Sequence, residues 1–314
     1  MDSLQSMRLY ARAVELGSFS AVAREEKITQ PTMSKIISAL EKDLGVRLLD
    51  RTTTSLTPTD EGRRFYERCK RVVEEYVDAV ADVRGQTQRP VGTLIVSAPM
   101  GLGELRLNAL MLEFLSMYPE IDVELNLTDR VIDLVEEGVD VAIRIGDDLP
   151  PNAVARPIAW SPRVLVAAPE YVGRTPKIRN PDDLLAHRYV GYARSNIGTE
   201  LEWTRGTGKI VVRPRGQYRV NSSLALRECF LEGFGVGAAP AWLVQDLIDA
   251  GRLVRLLPRW DMAPHSVYFV LPSRRYQPLR TRAFFQFMAE RIPTLPGFHA
   301  AGAPASGRAS ARPA

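Results

Sequence analysis

The chain has 314 residues, 45% hydrophobic and 25% charged, with 22 glycines and 22 prolines, which excludes collagen-like and largely unfolded chains. Two distant cysteines, Cys69 and Cys229, and three scattered histidines, His187, His265 and His299, make neither a disulfide framework nor a zinc spacing. The net charge of +4 is unevenly spread: residues 91–160 carry four basic and twelve acidic residues, residues 161–314 twenty-two basic and eleven acidic, which points to separate lobes.

The longest weakly charged stretch, Gly233 to Val244, is too short to span a bilayer, and the N-terminus lacks an apolar signal core. A cytoplasmic location with no membrane partner is expected.

In chain order, Leu4, Met7, Ala11 and Val14 recur at helical spacing, and Gly17 ends that helix. Ser18 is a natural N-cap for a short helix around Phe19, Val22 and Ala23. Thr29 caps a third helix, with Pro31 in its first turn. Met33, Ile36, Ile37, Leu40 and Leu44 form its apolar stripe, leaving Pro31, Lys35, Ser38 and Lys42 on the opposite face. Alternating runs around Thr52-Thr53-Thr54 predict a small hairpin, or wing. Thr57 and Pro58 look like the N-cap and first residue of a long helix. Its narrow seam of Phe65, Cys69, Val72, Val73, Tyr76, Val80 and Val83 needs a partner helix.

From Val91 strands and helices alternate. Strand 93–98, helix 102–118, strand 121–128, helix 131–137 and strand 140–145 predict a mostly parallel sheet. A second α/β set begins with strand 163–168. It continues through helix 222–231, strand 236–239, helix 241–250, strand 265–271 and helix 279–292. Residues 298–314, rich in Ala, Gly, Pro, Ser and Arg, are expected to be a disordered tail. Gly233-Phe-Gly-Val-Gly237 joins a helix to a strand, the reverse of a phosphate-binding turn, so packing glycines are expected.

Two helices, a short turn and a basic outer face over residues 19–38 fit a helix-turn-helix. The segments Glu15–Ala21, Thr29–Ser34, Leu40–Gly45, Val46–Leu49, Arg51–Thr53 and Leu56-Thr57 with Glu61-Gly62 resemble the LysR-type transcriptional regulators. The later segments Asp140–Gly146, Pro181–Leu184 and Gly233–Pro240 fit that family's effector domain. The resemblance implies an α/β protein with an N-terminal winged helix-turn-helix over residues 1–58. A dimerisation helix over residues 59–90 follows. An effector domain over residues 91–297 then forms two lobes like a type 2 periplasmic-binding-protein fold, about 91–161 plus 267–297, and 162–266.

It further implies a non-enzymatic, sequence-specific regulator without cofactor. Its expected partners are double-stranded operator DNA, a small-molecule effector, further copies in a homodimer or homotetramer, and RNA polymerase. Gln30, Pro31, Thr32 and Ser34 would face bases, and Ser18, Lys35, Arg51, Thr52 and Thr53 phosphates or groove edges. Gln30 can bond adenine bidentately and Lys35 can neutralise a phosphate. Thr54 stands where an arginine or lysine is common in the family.

Ligands of open α/β sheets bind beyond the carboxyl ends of the strands. With the resemblance, this nominates Met100, Gly101, Thr128, Arg144, Ile145, Gly146, Tyr192, Asn221, Ser222 and Pro240 as effector contacts. Arg144, flanked by apolar residues, wants an anion: an effector carboxylate, or internally Asp129, Asp147 or Asp148. A solute-binding protein and a nucleotide-using enzyme are the rival classes. Residues 1–85 oppose the first and the misordered glycines the second.

Overall fold

The computed structural model describes residues 2–51, 56–83, 89–146, 149, 153–193, 200–272 and 277–302. The chain divides into two units, Met1–Arg89 and Pro90–Ala314.

In the first unit, side-chain caps set the helix starts, because the first amides of a helix have no intrahelical acceptor. Asp2 accepts from Leu4 N (3.0 Å) at α1 (Ser3–Leu16). Ser18 accepts from Ala21 N (3.3 Å) at α2 (Phe19–Glu25), and Thr29 from Thr32 N (3.3 Å) at α3 (Gln30–Leu44). Left-handed Gly17 and Gly45 close α1 and α3. The buried face of α1 is Ser6, Leu9, Tyr10, Ala11 and Ala13, with Leu4, Met7 and Val14 only half-buried. The expected stripe is rotated because α1 packs against α4 (Asp60–Val83) as well as α2 and α3. Leu44, placed on the core stripe of α3 by periodicity, is 41% exposed at the helix end.

The wing is an antiparallel pair, β1 (Leu49–Arg51) with β2 (Leu56–Pro58). This pairing moves the start of the long helix. Thr57 and Pro58 are taken into β2, so Thr59 rather than Thr57 is the cap. Its Oγ1 accepts from Gly62 N (2.9 Å) and donates to Arg47 O (2.9 Å). The first half of α4 completes the core through Cys69 and Phe65, whose ring lies 5.6 Å from that of Tyr10. Further on, Val72, Tyr76, Val77 and Val83 are exposed.

The second unit opens with β3 (Gly92–Ala98) and a helix whose register slips through one π turn: α5 (Met100–Leu102), Gly103–Leu107, then α6 (Asn108–Met117). There follow β4 (Ile121–Leu127), β5 (Val141–Ile145), β6 (Val154–Ala167), α7 (Pro169–Arg174), β7 (Tyr189–Tyr192), β8 (Leu201–Arg205), β9 (Gly208–Val212) and β10 (Gly216–Val220). The unit ends with α8 (Ser223–Leu231), β11 (Gly237–Pro240), α9 (Ala241–Asp249), β12 (Val254–Leu256), β13 (Met262–Leu271), α10 (Leu279–Arg291) and β14 (His299–Ala300).

The main sheet runs β11-β6-β13-β5-β3-β4, with β12 and β14 also on β6. Only its β3–β4 and β3–β5 ladders are parallel; β7–β10 is a separate parallel pair. The three strands from which a parallel sheet was expected, β3, β4 and β5, are thus parallel, and the later strands add antiparallel ladders that make the whole sheet mixed. Long β6 and β13 pair antiparallel along most of their length. They run unbroken through positions 161/162 and 266/267, where the sequence suggested lobe boundaries.

Two further expectations fail. Residues 131–137 do not form a helix: 131–133 are irregular and 134–138 are turns. Asp133 accepts from Val135 N (2.8 Å) and Glu136 N (3.1 Å), an aspartate turn that lets Ile132 and Leu134 reach one small core with Val139. Residues 298–302, placed in a disordered tail, are ordered. Phe298 is buried and stacks with Trp242 (6.4 Å, 11°), and His299 stacks on Trp160 (4.4 Å, 25°) as β14 joins β6. Aromatic burial there outweighs the polar composition.

Candidate nucleic-acid face and effector cleft

The outward face of α3 carries exposed Gln30, Pro31, Thr32, Lys35, Ser38 and Lys42, while Met33, Ile37 and Leu40 are buried beneath. Ser34 is half-buried, and Ser18 is held as the α2 cap. The Thr32 and Thr29 hydroxyls lie 2.8 Å apart, so Thr32 is steadied by the cap. Glu41, which the sequence reading did not single out, ties the wing to α3: one carboxylate oxygen accepts from Leu48 N (2.8 Å) and Leu49 N (3.1 Å). Of the wing candidates, the Arg51 backbone lies in β1, paired with Leu56. Its side chain, Thr52, Thr53 and Thr54 lie outside the described residues. The turn into α3 holds a conformation rare outside glycine, Lys27 at φ 54°.

In the second unit, the ends of β3 and β4 are tied together. Thr128 N donates to Ala98 O (2.9 Å) and Met100 N to Asp129 Oδ1 (3.2 Å). A Cβ on Gly101 would lie 1.9 Å from Ser223 Oγ, so this corner sits directly on the start of α8 and a side chain there would have to push the Ser223 hydroxyl aside. Ser222 caps α8 through Ala225 N (3.3 Å), and Asn221 is exposed beside it. Tyr192 stands opposite Val220 at the ends of β7 and β10. Met100, Gly101, Thr128, Tyr192, Asn221 and Ser222 therefore share one corner. Ile145 and Gly146 end β5, where Gly146 N donates to Ser266 O (2.9 Å); Pro240 ends β11 opposite Arg163.

Arg144 is 5% exposed. Its guanidinium donates to Ser97 Oγ (2.8 Å) and to Ile143 O (3.0 Å), and its buried Nε has no partner among the described residues. Burial pushes its pKa down to about 10, against the opposing pull of the Asp129 and Glu137 charges. Asp129 acts on it through its field, without an ion pair; Asp147 and Asp148 lie outside the described residues.

A second, half-buried charge system joins three helical segments. Asp246 of α9 accepts from Arg227 of α8 (2.6 and 2.8 Å) and from Arg106 of the π turn (2.8 Å). These bonds, Arg227's first, hold its carboxyl down at about 2. The glycines of 233–237 pack as expected: a Cβ on Gly235 or Gly237 would lie 2.5 Å from Arg188 O or Val190 O. Both cysteines are free thiols, and burial pushes Cys69 up to about 12. Among the described residues no group of His, Cys, Asp and Glu could hold a metal ion, and no helix is long and apolar enough to cross a membrane.

Two family profiles match the chain. One, described as the bacterial regulatory helix-turn-helix protein of the lysR family, covers residues 4–63; the other, the LysR substrate binding domain, covers residues 87–293. The chain is 32% identical over 292 residues to the HTH-type transcriptional regulator PtxR of Pseudomonas aeruginosa, spanning 92% of this chain and 93% of that protein. It is likewise 32% identical over 305 residues to DmlR of Escherichia coli, spanning 95% and 98%. Among solved structures, CrgA, a LysR-type transcriptional regulator from Neisseria meningitidis, matches with a TM-score of 0.60 at 28% identity, covering 92% of this chain and 98% of that one. The full-length Vibrio cholerae virulence activator AphB matches at 0.57 and 26%, covering 91% and 98%.

Proposed function

This chain belongs to the LysR family of transcriptional regulators, with a helix-turn-helix DNA-binding region and a substrate-binding effector domain, and from that premise we propose which residues do the work. Residues 1–58 bind operator DNA, with α3 in the major groove. Gln30, Pro31, Thr32 and Ser34 meet base edges; Ser18, Lys35 and the wing residues Arg51, Thr52 and Thr53 meet phosphates or groove edges. The observation that carries this is the polar, exposed face of α3 above a buried Met33-Ile37-Leu40 stripe.

The exposed residues of α4 pair two chains into a dimer, two dimers form a tetramer, and the protein acts in the cytoplasm beside RNA polymerase. The effector occupies the corner formed by Met100, Gly101, Thr128, Tyr192, Asn221 and Ser222, with Arg144, Ile145, Gly146 and Pro240 around it. Its binding shifts the balance between two assemblies by its difference in affinity for them.

Footprinting of the full-length protein on its own upstream DNA, with and without a panel of small molecules, tests this reading. Protected sites about one helical turn apart, whose pattern changes with one compound, are the expected result. Binding to random DNA with equal affinity would refute it.

A further inference from the structure

Besides Arg144, the second unit places a cation without a described counter-charge where β6 and β13 pair. Arg163 of β6 stands opposite Met262 of β13 and Pro240 of β11; His265 of β13 stands opposite Ser161 of β6. Both side chains are half-buried. Among the described residues neither makes a hydrogen bond or an ion pair, and no carboxylate field acts on either. Their charged neighbourhood is each other and the Tyr189 hydroxyl, which accepts from Ala238 N (3.4 Å). Burial lowers the pKa of Arg163. Burial, then the Arg163 charge, lowers His265 to about 4. A guanidinium cannot shed its proton near neutral pH, so this site holds a half-buried cation that has no counter-charge among the described residues.

Strand directions locate the site. β7 and β10 are parallel, and β7 bridges in parallel to Val236 just before β11. Their carboxyl ends are Tyr192, Val220 and Pro240, so Arg163 lies at that edge. On the other side, Gly146 at the carboxyl end of β5 donates to Ser266 O (2.9 Å), next to His265. The two residues thus stand where the carboxyl ends of both strand sets meet, the place ligands take in such sheets.

We infer that Arg163 and His265 form an anion-binding corner of the effector cleft, and that the effector carries an oxyanion group, a carboxylate or a phosphate. This rests on the reading that the effector occupies that cleft. The Arg163 fork offers two N–H groups to one oxyanion. His265, neutral at pH 7, donates one N–H, and Tyr189 keeps its hydroxyl proton to give. Arg144, by contrast, already donates to Ser97 Oγ and Ile143 O.

Melting of the full-length protein is measured in acetate, benzoate, phosphate or sulfate, each against chloride at equal ionic strength. At least one oxyanion raises the wild-type Tm above chloride. Arg163→Gln melts at or above wild type in chloride, since it removes an uncompensated cation. It binds the stabilising anion about tenfold more weakly or worse. His265→Gln loses part of the shift. Three outcomes overturn the inference: no oxyanion outperforms chloride, Arg163→Gln keeps the full shift, or Arg163→Gln melts well below wild type. An anion that binds through Arg163 yet leaves the DNA footprint unchanged keeps the corner and overturns its assignment to the effector.

Discussion

In the first unit the candidate base contacts lie on a single helix. Gln30, Pro31, Thr32 and Lys35 follow one another along α3, and the caps that aim them, Ser18 and Thr29, are their near neighbours in sequence. In the second unit the candidate cleft draws Met100 from β3's end, Thr128 from β4's, Gly146 from β5's, Tyr192 from β7's, and Arg163 and His265 from the middle of two long strands. A one-helix surface is aimed by local chemistry and depends on a second copy for reach. A surface of strand ends is aimed by sheet register and depends on buried charge for its chemistry.

The largest expected effect breaks the first half of this contrast. Tyr76 is 55% exposed on α4, with Val72, Val77 and Val83 nearby on the same helix. Tyr76→Asp leaves the monomer folded and sets a charge in the seam between chains. DNA affinity falls on the order of a hundredfold or more, because two half-sites are no longer held together. Light scattering and gel shift check this. An unchanged oligomer would mean that the second unit alone holds the chains together.

The next effect belongs to the second unit. Asp246 is the carboxylate between Arg227 and Arg106, whose side chains are each 13% exposed. Asp246→Asn leaves both guanidiniums without it and costs about 2 kcal/mol, a value reduced for the 38% exposure of the carboxylate. The folded-state pKa, about 2, is below the ordinary 3.8. Wild-type stabilisation is therefore present above about pH 4 and lost as pH falls toward 2. Melting curves of wild type and variant should converge over that window; a gap that persists at pH 2 would assign the loss to packing.

A smaller pair of changes separates reading from anchoring within α3. Gln30→Ala lowers discrimination at one base pair of each half-site by about 1–2 kcal/mol. Lys35→Ala weakens specific and random DNA alike and reduces the salt slope by roughly one. Binding titrations at three salt concentrations on cognate and scrambled sites distinguish them. Equal loss of discrimination from both would merge the two roles.

The same contrast explains what could be read from the sequence. Ser18, Thr29, Pro31, Gly17 and Gly45 act within a few residues, so the helix-turn-helix is legible from spacing alone. Thr57 was the wrong cap because β2 pairing, a tertiary event, takes Thr57 and Pro58 and leaves Thr59. β7 and β10, short and each holding a glycine, carry no clear alternation, and their pairing joins distant segments. Phe298 sits in a stretch whose composition reads as a tail, and its burial comes from packing into the distant main core, where it stacks with Trp242. Arg163 and His265 meet through β6–β13 pairing about a hundred residues apart, which no local pattern announces.

The smallest expected effect tests how much strain the first unit's aiming stores. Lys27 holds φ 54° between α2 and α3, while Ile28 N donates to Ala23 O (2.9 Å) to close the turn. A side chain in the left-handed region crowds its own carbonyl and costs roughly 1 kcal/mol. Glycine accepts that conformation without the clash, although it adds freedom to the unfolded chain. Lys27→Gly should therefore stabilise the first unit by about 0.5 kcal/mol in denaturant titration, with the second unit's transition unmoved. DNA affinity should change little if Lys27 serves only the turn. A loss of affinity together with a flatter salt slope would place Lys27 on a phosphate, and the backbone strain would then position a DNA contact.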